Sequence, residues 1–148
     1  MQGQGFTTRF SVDQTPDEAF HAINNVRGWW SENVEGITNA VGGEFTYQYQ
    51  DVHRCTIKVT ELVPGVRIVW RVLDNHFNFT HDEQEWQGTE VHFEIGRTDH
   101  QTEVRFTHVG LVPQFECFGV CSNAWGSYIN GSLRRLMTTG QGTPNPKE

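Results

Sequence analysis

Basic residues are scarce in this chain of 148: 11 Lys and Arg stand against 18 Asp and Glu, a net charge of -7. A nucleic-acid binder needs a basic face to neutralise phosphates, so the sequence argues against one. The lack of a polybasic cluster argues equally against docking on an anionic membrane. No apolar run approaches the roughly 18 residues that span a bilayer. The opening MQGQGFTTRF has neither a positive start nor an apolar stretch, so no secretory leader is expected. Cysteine is limited to Cys55, Cys117 and Cys121; an odd count without a leader points to reduced thiols and a cytoplasmic setting. The sequons at Asn78 and Asn130 are then chance matches. Internal repeats and linkers are missing, as are Gly-x-Ser-x-Gly, His-Glu-x-x-His and a phosphate-binding Gly-Lys-Ser/Thr loop. No cofactor is called for, and the residues point to binding more than to catalysis.

Aromatics are plentiful. Ten Phe, five Trp and three Tyr offset a mean hydropathy of -0.55, because each can bury roughly 150–250 Å². They fall in alternation, the signature of half-buried strands. Phe6, Thr8, Phe10 and Val12 share one face of a first strand. Thr15-Pro16-Asp17-Glu18 then reads as a capped helix start, carrying Ala19, Phe20 and Ile23 inward. A second short helix or turn holds Trp29 and Trp30. Phe45, Tyr47 and Tyr49 alternate in the next strand, then Cys55, Ile57 and Val59, then Ile68, Trp70 and Val72. After a polar stretch from Asp74 to Gly88 come Val91, Phe93 and Ile95, and finally Val104, Phe106 and His108. Six strands with one polar face each make an antiparallel sheet wet on one side.

From Pro113 to Thr139 the period turns helical, with Phe118, Cys121, Trp125, Tyr128, Ser132 and Leu136 on one face. Gly119, Gly126 and Gly131 inside it predict a kink, a late start or a close approach of helix to sheet. Residues 1–142 read as one domain and 143–148, rich in Pro, as a flexible tail.

Six strands make a sheet roughly 25–30 Å wide, whereas a helix is only about 10–12 Å across. The helix cannot cover that face, so the sheet must curl around it, and a cavity is expected at the open end. The segments GWW (28–30), VGGEFTYQY (41–49), ELVPGVRIVWRV (61–72), EWQGTEVHFEI (85–95), TEVRFTHVGL (102–111) and WGSYINGSLRRLMTTGQG (125–142) resemble the START/Bet v 1-like (SRPBCC) superfamily, in its branch related to the activator of Hsp90 ATPase. The resemblance implies an α+β helix-grip fold: a curved six-stranded antiparallel sheet around a long C-terminal helix, with two short helices after the first strand. Members of that superfamily include lipid and hormone carriers, polyketide cyclases and co-chaperone domains.

The expected function is binding of a small, largely apolar molecule, aromatic or lipid-like, between sheet and helix. The alternatives are a pocket enzyme of cyclase or hydrolase type, or a co-chaperone-like module with an Hsp90-type ATPase as protein partner. Walls are expected from Trp70, Phe93, Phe106 and Trp125, with Phe45 beside them, and polar anchors from Tyr47, Tyr49, Tyr128 and His108. His53 and Thr8 are weaker anchors. Trp29, Trp30, Phe77 and Phe79 are placed at the cavity rim. His108 has two readings: a ligand-binding or general-base group, or a structural hydrogen bond to a backbone carbonyl near Gly110, the commoner fate of a buried polar group. Glu116, Cys117 and Cys121 lack the Cys-x-x-Cys spacing of a zinc site, so no metal is expected. The run from His76 to Glu85 reads as a solvated loop rather than a cation site.

Overall fold

The computed structural model describes residues 5–148; residues 1–4, part of the stretch read above as lacking a leader, lie outside the described residues. Seven strands form one antiparallel sheet in the order β1-β7-β6-β5-β4-β3-β2. They are β1 (Gly5–Val12), β2 (Val34–Gly36), β3 (Glu44–Tyr49), β4 (His53–Val63), β5 (Arg67–Phe77), β6 (Glu90–Thr98) and β7 (Gln101–Val109). Helices α1 (Pro16–Asn24) and α2 (Val26–Trp29) follow β1, and a long helical rod closes the fold. Among the described residues no helix is long and apolar enough to cross a membrane.

The expected count of six strands is corrected by β2. This edge strand has only three residues, too few for alternation to register. It pairs Val34 with Tyr47 and Gly36 with Phe45. Arg27 on α2 holds it from outside, donating from Nε to the Val34 carbonyl at 2.8 Å and from Nη2 to the Gly36 carbonyl at 2.9 Å.

A second correction concerns β5, which runs on past Val72 into the stretch read as loop. Thr56 pairs with Asp74 while Ile57 pairs with Val72, leaving Leu73 as an extra residue. Such a bulge flips the phase of a strand. Before it Ile68, Trp70 and Val72 face inward; after it Asn75 and Phe77 do.

The helical rod begins at Phe118, five residues later than the periodicity predicted. Its parts are α3 (Phe118–Gly126), a π-helical stretch (Ser127–Leu133) and α4 (Arg134–Thr139), ended by Gly140 at φ 84°. Cys121, Trp125, Ile129, Leu133 and Met137 are all buried. A spacing of four drifts about 40° per step on a 3.6-residue helix. The wider π turn absorbs that drift and keeps the ladder on the sheet. Gly119, Gly126 and Gly131 do not serve close approach, since a Cβ at any of them would meet nothing within 4 Å.

Between sheet and rod the rings pack against one another. Trp29, Trp30 and Trp70 stack pairwise with centroids 6.0–6.4 Å apart. Phe45, Phe93 and Phe106 close around them, all fully buried. Trp29 also donates from Nε1 to the Ile23 carbonyl at 3.0 Å, so this indole is a strut between α1 and α2. The breadth of sheet that the rod leaves uncovered is therefore mostly filled by aromatic side chains.

Candidate functional site

A cavity of about 270 Å³ lies between the β3–β5 side of the sheet and α3. Its inner wall is Trp30, Trp86 and Trp125; Tyr47, Tyr49, Val52 and His53 come from β3, β4 and the turn joining them. The post-bulge segment contributes Phe77 and Phe79, and α3 contributes Val120, Cys121 and Ala124, followed by Tyr128. Phe79 and Val120 are substantially exposed, which marks their side as the mouth. None of the lining residues is Asp, Glu, Lys or Arg.

Of the anchors and walls expected from sequence, Tyr47, Tyr49, Trp125 and Tyr128 line this cavity, together with Trp30, Phe77 and Phe79 from the expected rim. Trp29, Trp70, Phe93 and Phe106 are not brought to it, because the indole stack occupies the space beneath them. Thr8 instead accepts a 2.9 Å bond from Asn130 Nδ2 on the opposite edge.

His108 also lies outside the lining, behind Trp86 and Trp125, and both ring nitrogens are occupied. Trp125 Nε1 donates to Nδ1 at 3.0 Å, which leaves Nε2 to carry the proton. Nε2 meets Thr89 Oγ1 at 2.8 Å, and that hydroxyl donates to the Trp86 carbonyl at 2.6 Å. The imidazole ties sheet to helix through side chains, rather than through a carbonyl near Gly110. Burial, and then the charge of His53, lower its pKa to about 3.

His53 is the histidine at the cavity. Its Nε2 lies 2.7 Å from Asn75 Oδ1. The Asn75 amide is oriented by its own Nδ2, which donates to the Glu83 carbonyl at 3.1 Å. Burial outweighs the Asn75 contact and lowers the His53 pKa to about 4. Around the ring stand Phe77, Trp86 and Tyr47, with centroids 4.3, 4.6 and 5.3 Å away.

The tyrosine end is closed by the residues expected to form a tail. Asn145 Nδ2 donates to the Tyr128 hydroxyl at 2.8 Å and approaches that of Tyr47 at 3.5 Å. Its backbone is held by Trp30 and Glu32, bonded at 3.0 and 2.8 Å. Burial, followed by Tyr128, drives the Tyr47 pKa upward. Asn145→Ala is expected to cost about 1 kcal/mol, read from the urea midpoint; an unchanged midpoint would show that the amide's bond to Tyr128 contributes nothing.

Opposite, the loop between β5 and β6 is clasped to the start of α3. Glu85 accepts from the backbone N–H groups of Glu116 and Cys117 at 2.7 and 3.1 Å. Glu116 in return accepts from His81 and Asp82 N–H at 2.8 and 3.2 Å. The Asp82 N–H bond is the main reason its carboxyl pKa is lowered. This clasp holds Phe79 and Trp86 over the cavity. It also engages Glu116 away from Cys117 and Cys121, and among the described residues no three His, Cys, Asp or Glu converge on one point.

Sequence reasoning gave no cavity role to Val52, Trp86, Val120, Cys121 or Ala124. Trp86 sits in a loop without period. Cys121 stood on the inward helical stripe without a place at the cavity.

The family model of activator of Hsp90 ATPase homolog 1-like proteins matches residues 14–138. Among solved structures, the Aha1 dimer from Colwellia psychrerythraea is similar at 23% identity and a TM-score of 0.74, over 93% of this chain and 98% of that one. Mll3558 from Rhizobium loti follows at 19% and 0.68, over 86% and 92%. CalU16 from Micromonospora echinospora is similar at 15% and 0.62, over 90% and 74%. These likenesses are of fold. No match was found among the curated proteins.

Proposed function

The chain belongs to the activator of Hsp90 ATPase homolog 1-like family, and within it we propose that this protein binds a small, largely apolar ligand in the cavity between β3–β5 and α3. The observation that carries this reading is a ring-lined cavity of about 270 Å³ without a single ionised wall residue. Ligand sites usually run about 300–1,000 Å³, so the guest is at the small end, a compact aromatic rather than a long-chain lipid. Binding draws mainly on apolar area removed from water, about 25 cal/mol per Å² before ordering costs.

Two features favour binding over turnover. His53 and His108 have pKa values near 4 and 3, far from the neutral range where a general base works best. His108 also has no free nitrogen to offer. The buried free thiols of Cys55, Cys117 and Cys121 support a reducing, cytoplasmic setting. Family membership favours a second reading, a chaperone-type partner; stimulation of an Hsp90-type ATPase by the purified protein is its test.

The ligand reading is tested by filling the cavity. Ala124→Phe places a ring into it from α3, at a stability cost of about 1–3 kcal/mol if the wall is crowded. The variant is expected to bind the neutral fluorophore N-phenyl-1-naphthylamine about tenfold more weakly, or worse, than the unaltered protein. Equal binding by both would refute the assignment of the cavity.

A further inference from the structure

The identity of the guest is narrowed by one ring nitrogen. Asn75 Nδ2 is committed to the Glu83 carbonyl, so Asn75 presents its oxygen to His53, and His53 Nε2 must carry the hydrogen between them. The other nitrogen, Nδ1, is then a bare lone pair. Among the described residues no hydrogen bond reaches it, and its ring lines the cavity. Of the neighbouring hydroxyls, Tyr128 accepts from Asn145, and Tyr47 lies 3.5 Å from both. With no cation in the lining, a carboxylate or phosphate on the guest would be buried unpaired, and with no carboxylate an ammonium would have only ring faces to meet it.

We propose that the cavity selects a neutral, compact aromatic that carries one hydrogen-bond donor, of phenol type, and that this donor is received by His53 Nδ1. The inference rests on the ligand-binding reading above and adds the donor. The ring stays unprotonated at neutral pH, because burial lowers its pKa to about 4, so the acceptor is available there. Phe77, Trp86 and Tyr47 hold the imidazole on three sides, which fixes the direction of its lone pair. A guest with an acceptor there would set lone pair against lone pair.

Three matched probes separate the possibilities: 2-naphthol, 2-methoxynaphthalene and 2-naphthoate, each titrated into the isotope-labelled protein and followed by NMR. The naphthol is expected to bind about tenfold more tightly than its methyl ether, a difference of about 1.4 kcal/mol, with shifts at Phe77, Trp86 and Ala124. The ¹⁵N resonance of His53 Nδ1 is expected to move upfield with the naphthol and stay in place with the ether. His53→Phe is expected to remove the naphthol's advantage while the ether still binds; the ¹⁵N measurement needs no variant and decides the matter if that substitution fails to fold. Equal affinities for naphthol and ether at the cavity, an unmoved Nδ1, or strongest binding by the naphthoate would overturn the donor inference and leave the cavity reading standing. Absence of binding by both neutral probes would remove both.

Discussion

Trp125→Ala is expected to lower the unfolding free energy by about 4–8 kcal/mol. Deleting a buried indole costs about 3–5 kcal/mol, and a buried acceptor left without its donor adds about 1–3 kcal/mol. Trp125 pays both penalties. It is 1% exposed, packs on Phe106 at 4.6 Å and Trp86 at 5.7 Å, and supplies the N–H that His108 Nδ1 receives. Trp125→Phe keeps much of the ring and loses the donor, so its cost should fall to about 2 kcal/mol. Urea unfolding reads both, provided the slopes agree. Since domains hold only about 5–15 kcal/mol in total, the Ala variant should be partly unfolded at room temperature. A cost under about 1.5 kcal/mol would mean that helix and sheet are not joined at this indole.

Acid should weaken the fold well above the range where carboxylates titrate. The pKa values of His53 and His108 are lowered to about 4 and 3 in the folded protein, from 6.5. Above pH 6.5 neither state binds a proton at these positions, and their contribution to stability is complete. Below it the unfolded chain takes up protons that the native rings refuse, so stability falls with pH until the folded values are reached. At pH 5 each histidine has given up about 2 kcal/mol, on the order of 4 kcal/mol together. Urea midpoints measured at pH 8 and pH 5 check the sum. The Cε1–H resonances of both rings should not titrate above pH 5; movement of either near pH 6.5 would contradict its burial.

Strand parity alone put Tyr47 and Tyr49 on the inward face, where the cavity lies. Those assignments needed only regular pleating. Within β5 parity carried no further than Leu73, where one extra residue reverses which side chains point inward. The role of Asn75, and with it the tautomer of His53, was therefore hidden in what looked like a polar loop. The three residues of β2 were too few to alternate, and the groups that hold it, on Arg27, come from another element. In the long helix the four-residue ladder from Cys121 to Met137 fits the sheet only because a π turn underwinds it, a choice made by packing against the sheet.

A sheet broader than its helix does leave space, but how much depends on rings whose positions are tertiary facts. Stacking of Trp29, Trp30 and Trp70 consumes most of it. Trp86, from a loop with no periodic signal, shapes the remainder and turns the site toward Phe77 and away from His108.

Isotope-filtered NOE spectroscopy on labelled protein with unlabelled 2-naphthol reports directly on the cavity. Cross-peaks from the bound ring to Phe77, Trp86, Ala124 and Tyr128 are the predicted result. Cross-peaks only to the polar outer face of the sheet, around Thr7, Arg9 and Arg105, would contradict it.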